Sequence, residues 1–397
     1  MKQLNILLLG AGYGVLSVLK NLDSKTLQQA KFTLINNNPY HYHTILLHEV
    51  SAGVKDKSVC YPLKDILPQE IEIITDTVLS IKHNQVITKN ATYAYDYLII
   101  GLGFRSDSFG IKGIEEYALN ITSYASALHI REHIQKKLEM YLQDKNPQHL
   151  QFAICGGGFT GIELSASLAQ ELHKKAKHYG IDPALFDIAC IEAMPHILPM
   201  FDTNASQIAR QRLESLGVKV WESSKILECL SDGVLIQNGN ENKKIPASTI
   251  VWSAGVKGSA VIENSPFFQS ERSKIKIDSF LHPIQDLPNR DKIFVVGDCG
   301  ALSDPISQRF YPPTAQLATR EGAYLAQALK AILDGKAPTQ GFSFSLGDSI
   351  CSLGKGYAIG TLKGKTIHGL KAYILKRLVE NIWNLKIQGL TSLFKKD

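Results

Sequence analysis

The chain has 397 residues, 44% of them apolar and 20% charged, which allows two or three domains of ordinary size with ample cores. Its formal charge of +6 belongs to the tail, because eight basic and two acidic residues follow Leu362 and the first 361 residues sum to zero. No basic-then-apolar leader opens the sequence, and no apolar run reaches the ~18 residues that would suggest a spanning helix.

In chain order, an apolar run at 4–9 ends in glycines and leads into an amphipathic stretch from Val15 to Leu22, then a second apolar run at 32–36. Strand, turn, helix and strand in that order form the unit of a parallel sheet. The same grammar recurs at 151–155, through a glycine turn, a helix to about Lys177, and a strand at 186–192. Two such units mean two nucleotides, or one duplicated fold with an idle copy. Short β-rich stretches lie between and after the two units, at 71–75, 95–101, 248–255 and 292–298. From Phe342 to Gly360 the pattern is again β-like, and a basic helix closes the chain.

The first turn reads Gly10-Ala11-Gly12-Tyr13-Gly14-Val15. Gly10 permits a tight turn and Gly12 lets a pyrophosphate approach the helix N-terminus. Val15 stands where the fingerprint usually has Gly or Ala, and Asn36-Asn37 stands where an acid usually grips the ribose. Asparagine accepts the same hydrogen bond more weakly. Asp298 ends the strand at 292–298, either to accept hydrogen bonds from a flavin's ribityl hydroxyls or simply to cap a helix. The upstream glycine turn favours the flavin.

The second turn, Gly156-Gly157-Gly158-Phe159-Thr160-Gly161, satisfies GxGxxG in the strand–turn–helix context that gives the motif meaning. Glu192 ends the next strand, where a carboxylate holds a ribose 2′-hydroxyl and repels a 2′-phosphate. Like charges at about 4 Å cost roughly 4 kcal/mol at an effective dielectric near 20, a large bias toward NADH over NADPH. Glu163, just inside the helix, serves either the helix dipole or proton handling beside a bound ring.

These blocks resemble the type II NADH dehydrogenases, the single-chain, non-pumping NADH:quinone reductases. The resemblance runs over GAGYG at 10–14, NPYHYHTILLHEVSAG at 38–53, YDYLIIGLG at 95–103, GGGFTGIEL at 156–164, VWSAGVKG at 251–258, VGDC at 296–299 and PPTAQLAT at 312–319. It implies an α/β glutathione-reductase-like fold with two Rossmann-type dinucleotide-binding domains and a C-terminal amphipathic membrane-attachment region. The expected division is residues 1–112 and 246–330 for FAD, 113–245 for NADH, and 331–397 for attachment. The resemblance implies non-covalent FAD touching Gly10, Gly12, Tyr13, Gly14, Asn36, Asn37, Val78, Gly101, Asp298, Ala315 and Lys376. It places NADH on Gly156, Gly158, Phe159, Thr160, Gly161, Glu192 and Gly255, and matches Glu163 to a glutamate implicated in quinone reduction. The family's quinone motif Ala-Gln-x-Ala-x-Gln reads Ala315-Gln316-Leu317-Ala318-Thr319-Arg320 here, so Gln316 and Arg320 become the quinone residues. Arg is longer and permanently charged, which changes the acceptor site.

The expected reaction passes hydride from NADH to FAD and two electrons to a membrane quinone, menaquinone being the expected one, without proton pumping. The tail places Ile374, Leu375, Leu378, Val379, Ile382 and Leu385 on one helical face and Lys376, Arg377, Glu380, Asn381 and Asn384 on the other. With Trp383 at the border, this is the pattern of an interfacial helix with an aromatic anchor, and residues 365–397 are expected to bind an anionic lipid surface. The bland alternative is a helix docked on the protein itself or on a second subunit. The expected location is the cytoplasmic face of the cell membrane, and a homodimer follows from the resemblance alone.

Rival readings weaken on the same residues. Cys60, Cys155, Cys190, Cys229, Cys299 and Cys351 form no CxxC or CxxxxC, so a disulfide reductase is disfavoured and buried thiols in a reducing compartment are expected. A sulfide:quinone reductase would need Cys155 and Cys351 to converge at the flavin. A diverged reductase with another acceptor, or a non-catalytic nucleotide-binding redox sensor, remains as the alternative. His41, His43, His48 and Glu49 are read as cofactor contacts or core residues, no metal is expected, and no nucleic-acid partner is expected.

Overall fold

The structure is a computed structural model and describes residues 3–345 and 347–389. The chain opens with β1 (Leu4–Leu9), α1 (Tyr13–Asn21) and β2 (Ala30–Asn36). Then come α2 (Leu47–Ala52), β3 (Ile71–Thr75), β4 (Tyr97–Ile100) and β5 (Ala118–Asn120). The second glycine unit follows as α3 (Tyr124–Asp144), β6 (Gln151–Cys155), α4 (Phe159–Tyr179), β7 (Asp187–Ile191), β8 (Val218–Trp221) and β9 (Thr249–Trp252). The last part holds β10 (Ile293–Val295), α5 (Ala315–Leu333), β11 (Ile350–Ser352), β12 (Ala358–Leu362), β13 (Lys365–Gly369) and α6 (Leu370–Gln388).

Two five-stranded parallel sheets result, in the orders β10-β4-β1-β2-β3 and β5-β9-β6-β7-β8. Their central strands are buried on both faces, which is why they read as apolar runs rather than alternations. This is the expected α/β class with two Rossmann-type units. The expected boundary at 246 falls one strand early, because β9 pairs with β6 and β5 in the second sheet. Residues 249–252 therefore complete the second unit, and the chain returns to the first only after them.

The two glycine turns are built alike. Gly10 donates its N–H to the Ile35 carbonyl and Gly156 to the Ile191 carbonyl, each at 2.8 Å. Their φ values of +87° and +119° are backbone that favours glycine. The Val15 departure has a physical explanation. In the second unit a side chain on Gly161 would strike the Gly156 carbonyl and the Ser253 hydroxyl. In the first unit the bulk is exchanged, since a Cβ on Gly101 would meet Val15 Cγ2 at 2.4 Å. Val15 fits because its neighbour on the adjoining strand end gives up its side chain.

The tail is tied into this frame. β11, β12 and β13 form an antiparallel sheet, and α6 packs against it and reaches α1. The exposed apolar side chains of α6 are Leu370, Ile374, Leu378, Val379 and Ile382, each at least half exposed. Glu380 and Trp383 are buried instead. The helix therefore docks by a mixed face of Ala372, Glu380, Trp383 and Ile387 and leaves an apolar stripe outward. Leu375 and Leu385 are only half-buried edges of that stripe, and Asn381 lies among the exposed residues. No helix among the described residues is long and apolar enough to cross a membrane. The expected lysines at 395 and 396 lie outside the described residues.

Candidate active site

The first turn opens on a groove of about 330 Å³ lined by Gly10, Gly12, Asn36, Asn37, Val78 and Gly101. A Cβ on Gly12 would meet nothing within 4 Å, so the space over the turn is open. The N-cap of α1 is Gly12 and carries no side-chain cap, which leaves the first N–H groups free for an anion such as a pyrophosphate. Asn36 stands beneath the turn rather than across the groove: its Oδ1 accepts from Ala11 N–H at 3.0 Å and its Nδ2 donates to the Asn38 carbonyl. Asn37 is exposed at the rim and is the freer candidate for a ribose. Tyr13 is buried and donates its hydroxyl hydrogen to His43 Nδ1 at 3.0 Å.

Asp298 sits at the end of β10 and its carboxylate takes no hydrogen bond among the described residues. Burial raises it to about 6. An unpartnered carboxyl at the mouth of the first unit suits hydroxyl donors from a ribityl chain, so these residues fit a flavin dinucleotide. Beneath it, Glu321 of α5 accepts from Gly297 N–H at 2.6 Å and holds the turn that carries Asp298. Burial, opposed by that hydrogen bond and reinforced by Asp298, raises Glu321 to about 8. Ala315 is the first residue of α5, half-buried, with Thr314 capping the helix by accepting from Leu317 N–H.

At the second turn Gly158 likewise caps α4 without a side chain. Glu192 closes on the turn: Oε2 accepts from Gly157 N–H at 2.6 Å and Oε1 from Met194 N–H at 2.7 Å. Its carboxylate is thus fixed at the lip where a nucleotide ribose would rest. Phe159 and Thr160 begin α4, half-buried and exposed respectively, and Gly255 has φ +80° beside Phe109. Cys155 lies buried under this turn in the same apolar cluster as Cys229, and both are free thiols among the described residues.

A buried polar cluster lies between α2, α4, β11 and α6. Glu163 is buried, with Oε1 accepting from Ser352 N–H at 2.9 Å and from the Lys376 ammonium at 2.8 Å. His48 Nδ1 lies 3.3 Å from Oε2. Burial alone would raise this carboxyl, but the Lys376 charge, His48 and the hydrogen bonds outweigh it and hold it below its ordinary range. Lys376 resists the downward push of its own burial because Glu163 and Glu380 keep it charged. Alongside, Arg377 donates to Glu49 Oε1 at 2.5 Å and to Glu380 Oε2 at 2.9 Å.

Lys376, expected at the flavin, gives its ammonium to Glu163 and the Ile350 carbonyl. Trp383 was expected as a membrane anchor. It is buried against Tyr13, its ring 4.9 Å away, and donates its N–H to His41 Nε2 at 3.1 Å. Because Lys376 and Arg377 are committed to interior carboxylates, less positive charge faces outward than the tail's composition implied. Gln316 and Arg320 are both exposed on α5, and Arg320 lies close enough to Lys386 to depress its pKa, after burial.

Sequence reasoning missed His48, Glu49, Arg377 and Asn384 as partners. Arg377 meets Glu49 across 328 residues and His43 meets Asn384 across 341. Nothing local marks such pairs. His41 and His43 are buried, His41 also lining the groove over the first turn, and burial lowers them to about 3 and about 4. His41 donates from Nδ1 to the Ala11 carbonyl, which leaves Nε2 as the acceptor for Trp383.

Two uncapped glycine turns on two parallel sheets define a two-dinucleotide oxidoreductase, and the sequence matches the pyridine nucleotide-disulphide oxidoreductase family over residues 4–322. Within that class the chain belongs to the type II NADH:quinone oxidoreductases. It is 33% identical to the enzyme of that name from Staphylococcus haemolyticus over 98% of both chains, and 34% identical to the Staphylococcus aureus enzyme over the same share. The NDH2 structure from Plasmodium falciparum in complex with NADH superposes with a TM-score of 0.87 over 99% of this chain and 98% of that one, at 19% identity. A sulfide:quinone oxidoreductase from Aquifex aeolicus shares the fold, with a TM-score of 0.75 at 20% identity over 97% and 91% of the two chains.

Proposed function

We propose that this protein oxidises NADH and reduces a membrane quinone through FAD, without moving protons across the membrane. FAD is held by the first unit, where Gly10, Gly12, Asn37, Val78 and Gly101 border the groove and Asp298 takes the ribityl hydroxyls. When bound, it supplies the ring that accepts hydride and passes electrons on. NADH lies on Gly156, Gly158 and Gly161 with Glu192 on its ribose, which excludes a 2′-phosphate. Glu163, kept ionised by Lys376, manages a proton beside the acceptor. Gln316 and Arg320 stand at the acceptor's entrance.

One observation carries the reading. Helix α6 completes an interior charged site with one face and bares Ile374, Leu378, Val379 and Ile382 on the other. Such a helix brings a lipid-soluble acceptor and the reaction site together, since the exposed stripe suits the hydrocarbon boundary of a bilayer. A peripheral position on the cytoplasmic face follows from the same reading, as does a homodimer from family membership.

The test is NADH oxidation by the FAD-loaded protein with a short-chain menaquinone, a short-chain ubiquinone, or no acceptor, and with NADPH in parallel. Fast NADH-specific turnover that requires quinone is expected. Bleaching of the flavin by NADH with no quinone turnover would overturn the acceptor half of the proposal.

A further inference from the structure

The buried cluster around Glu163 has an unbalanced charge. It contains three carboxyl groups, Glu49 from α2, Glu163 from α4 and Glu380 from α6, each with a side chain about 6% exposed. Against them stand, among the described residues, two lasting cations, Lys376 and Arg377. The remaining groups that face the cluster are His48 of α2, Cys351 of β11, Tyr373 of α6 and Tyr13 of α1. Burial pushes the Cys351 thiol and the Tyr13 phenol up, so neither adds a charge of either sign. His48 presents Nδ1 to Glu163 but its Nε2 is buried without a partner. With all three carboxyls ionised, Lys376 and Arg377 by themselves leave one negative charge uncompensated, a costly arrangement in a low-dielectric site.

We propose that the cluster carries one exchangeable proton, seated on Glu380, and that this proton recharges Glu163 during quinone reduction. The three carboxyls are not held equally. Glu163 receives an ammonium, a backbone N–H and an imidazole. Glu49 receives both terminal nitrogens of Arg377, at 2.5 and 3.4 Å. Glu380 receives a single Arg377 bond at 2.9 Å, and Lys376 stays 3.9 Å from its other oxygen. Burial, with Glu49 adding to it, raises Glu380 despite its two cationic neighbours.

Lys376 lies between the two carboxyls, 2.8 Å from Glu163 and 3.9 Å from Glu380. Reduction of a quinone by NADH consumes one proton beyond the hydride. Lys376 passes that proton to the ionised Glu163, which hands it to the acceptor, and Glu380 restores Lys376. One proton moves at each step and no electrons do. Glu380 ends as a carboxylate until solvent reloads it. Glu380 is thus a positioning and proton-holding residue, one turn of helix from the group it recharges. The inference rests on the proposed quinone reduction, but its first test does not require turnover.

The experiment is infrared spectroscopy of the FAD-loaded protein at neutral pH, reading the carbonyl stretch of a protonated carboxylic acid. Glu380→Gln is expected to remove a band that His48→Gln retains. A band lost in Glu163→Gln instead, or the lack of any band assignable to Glu380, would overturn the proposal. Should Glu380→Gln fold poorly, Glu380→Asp is expected to retain a shifted band. In turnover, kcat with quinone is expected to fall roughly a hundredfold in Glu380→Gln, at the low end of what proton-transfer residues contribute. The same variant is expected to lose the wild-type pH dependence while the KM for NADH stays unchanged. Loss of quinone activity in the wild type with the Glu380 band intact would remove the acceptor reading and leave the proton assignment standing.

Discussion

The carboxylate of Glu163 and the ammonium of Lys376 meet at 2.8 Å in the interior, although 213 residues separate them in the chain. Glu163 belongs to the nucleotide-binding helix α4 and Lys376 to the tail helix α6. The pair therefore links the second Rossmann unit to the segment with the bare apolar face.

Removing one member should cost more than removing both. Lys376→Met leaves a buried carboxylate without its cation, which is expected to cost ~3–5 kcal/mol, whereas the double change Glu163→Met, Lys376→Met recovers much of it. Denaturant unfolding of the FAD-loaded variants measures this cycle. The sign with pH is also set. Glu163 is held below its ordinary value of 4.5, so its share of stability is present above that pH and is lost as pH falls through the folded-state value. The gap between wild type and Glu163→Gln should narrow in acid.

Flavin affinity should rise with pH. Asp298 is raised to about 6 by burial, and hydroxyl donors favour its charged form. Flavin binding to the stripped protein should release a proton near that pH and tighten as pH climbs through it. Asp298→Asn keeps an acceptor oxygen but not the charge. It is expected to weaken binding about tenfold at pH 8, the difference between charged and neutral hydrogen bonds, and to flatten the profile. Fluorescence titration of FAD at several pH values reads both effects.

Nucleotide choice should follow Glu192. Its two oxygens brace Gly157 N–H and Met194 N–H as well as the place for a ribose. Glu192→Gln removes the repulsive charge and one acceptor. The KM for NADH is expected to rise by about tenfold and the discrimination against NADPH to fall by a larger factor, within the roughly 4 kcal/mol that close like charges impose. An unchanged NADPH rate would place the discrimination elsewhere.

Membrane attachment should be separable from folding. Leu378 and Ile382 are 55% and 63% exposed, so Leu378→Asp with Ile382→Asp removes nothing from the core. Stability is expected to change by less than ~0.5 kcal/mol per site, as for surface positions at large. Co-sedimentation with anionic vesicles is expected to fall several-fold, because each buried methylene contributes about 0.8 kcal/mol to insertion. Trp383→Ala should do the reverse: it deletes a buried side chain and its bond to His41, at a cost of ~3–5 kcal/mol.

The two Rossmann units were legible because their signals are local. Glycine spacing, apolar strands buried on both faces and the acid at the end of β7 all act within one β-α-β unit, where backbone geometry leaves little choice. Family membership could be read from those same blocks. The boundary near 246 was not legible in the same way, since β9 looks like any short apolar strand until its partners are known.

What the sequence determined by itself is the pair of nucleotide turns and the amphipathic character of the tail. Tertiary structure alone decided which face of α6 turns inward, that Trp383 is a core residue, and that Lys376 and Arg377 answer Glu163, Glu49 and Glu380. It also decided that Val15 is tolerable, because Gly101 on another strand leaves the room. The reason is physical. Helical and strand periodicity is written in neighbours along the chain, but the cost of burying a charge or a bulky group is paid by partners that only folding brings together.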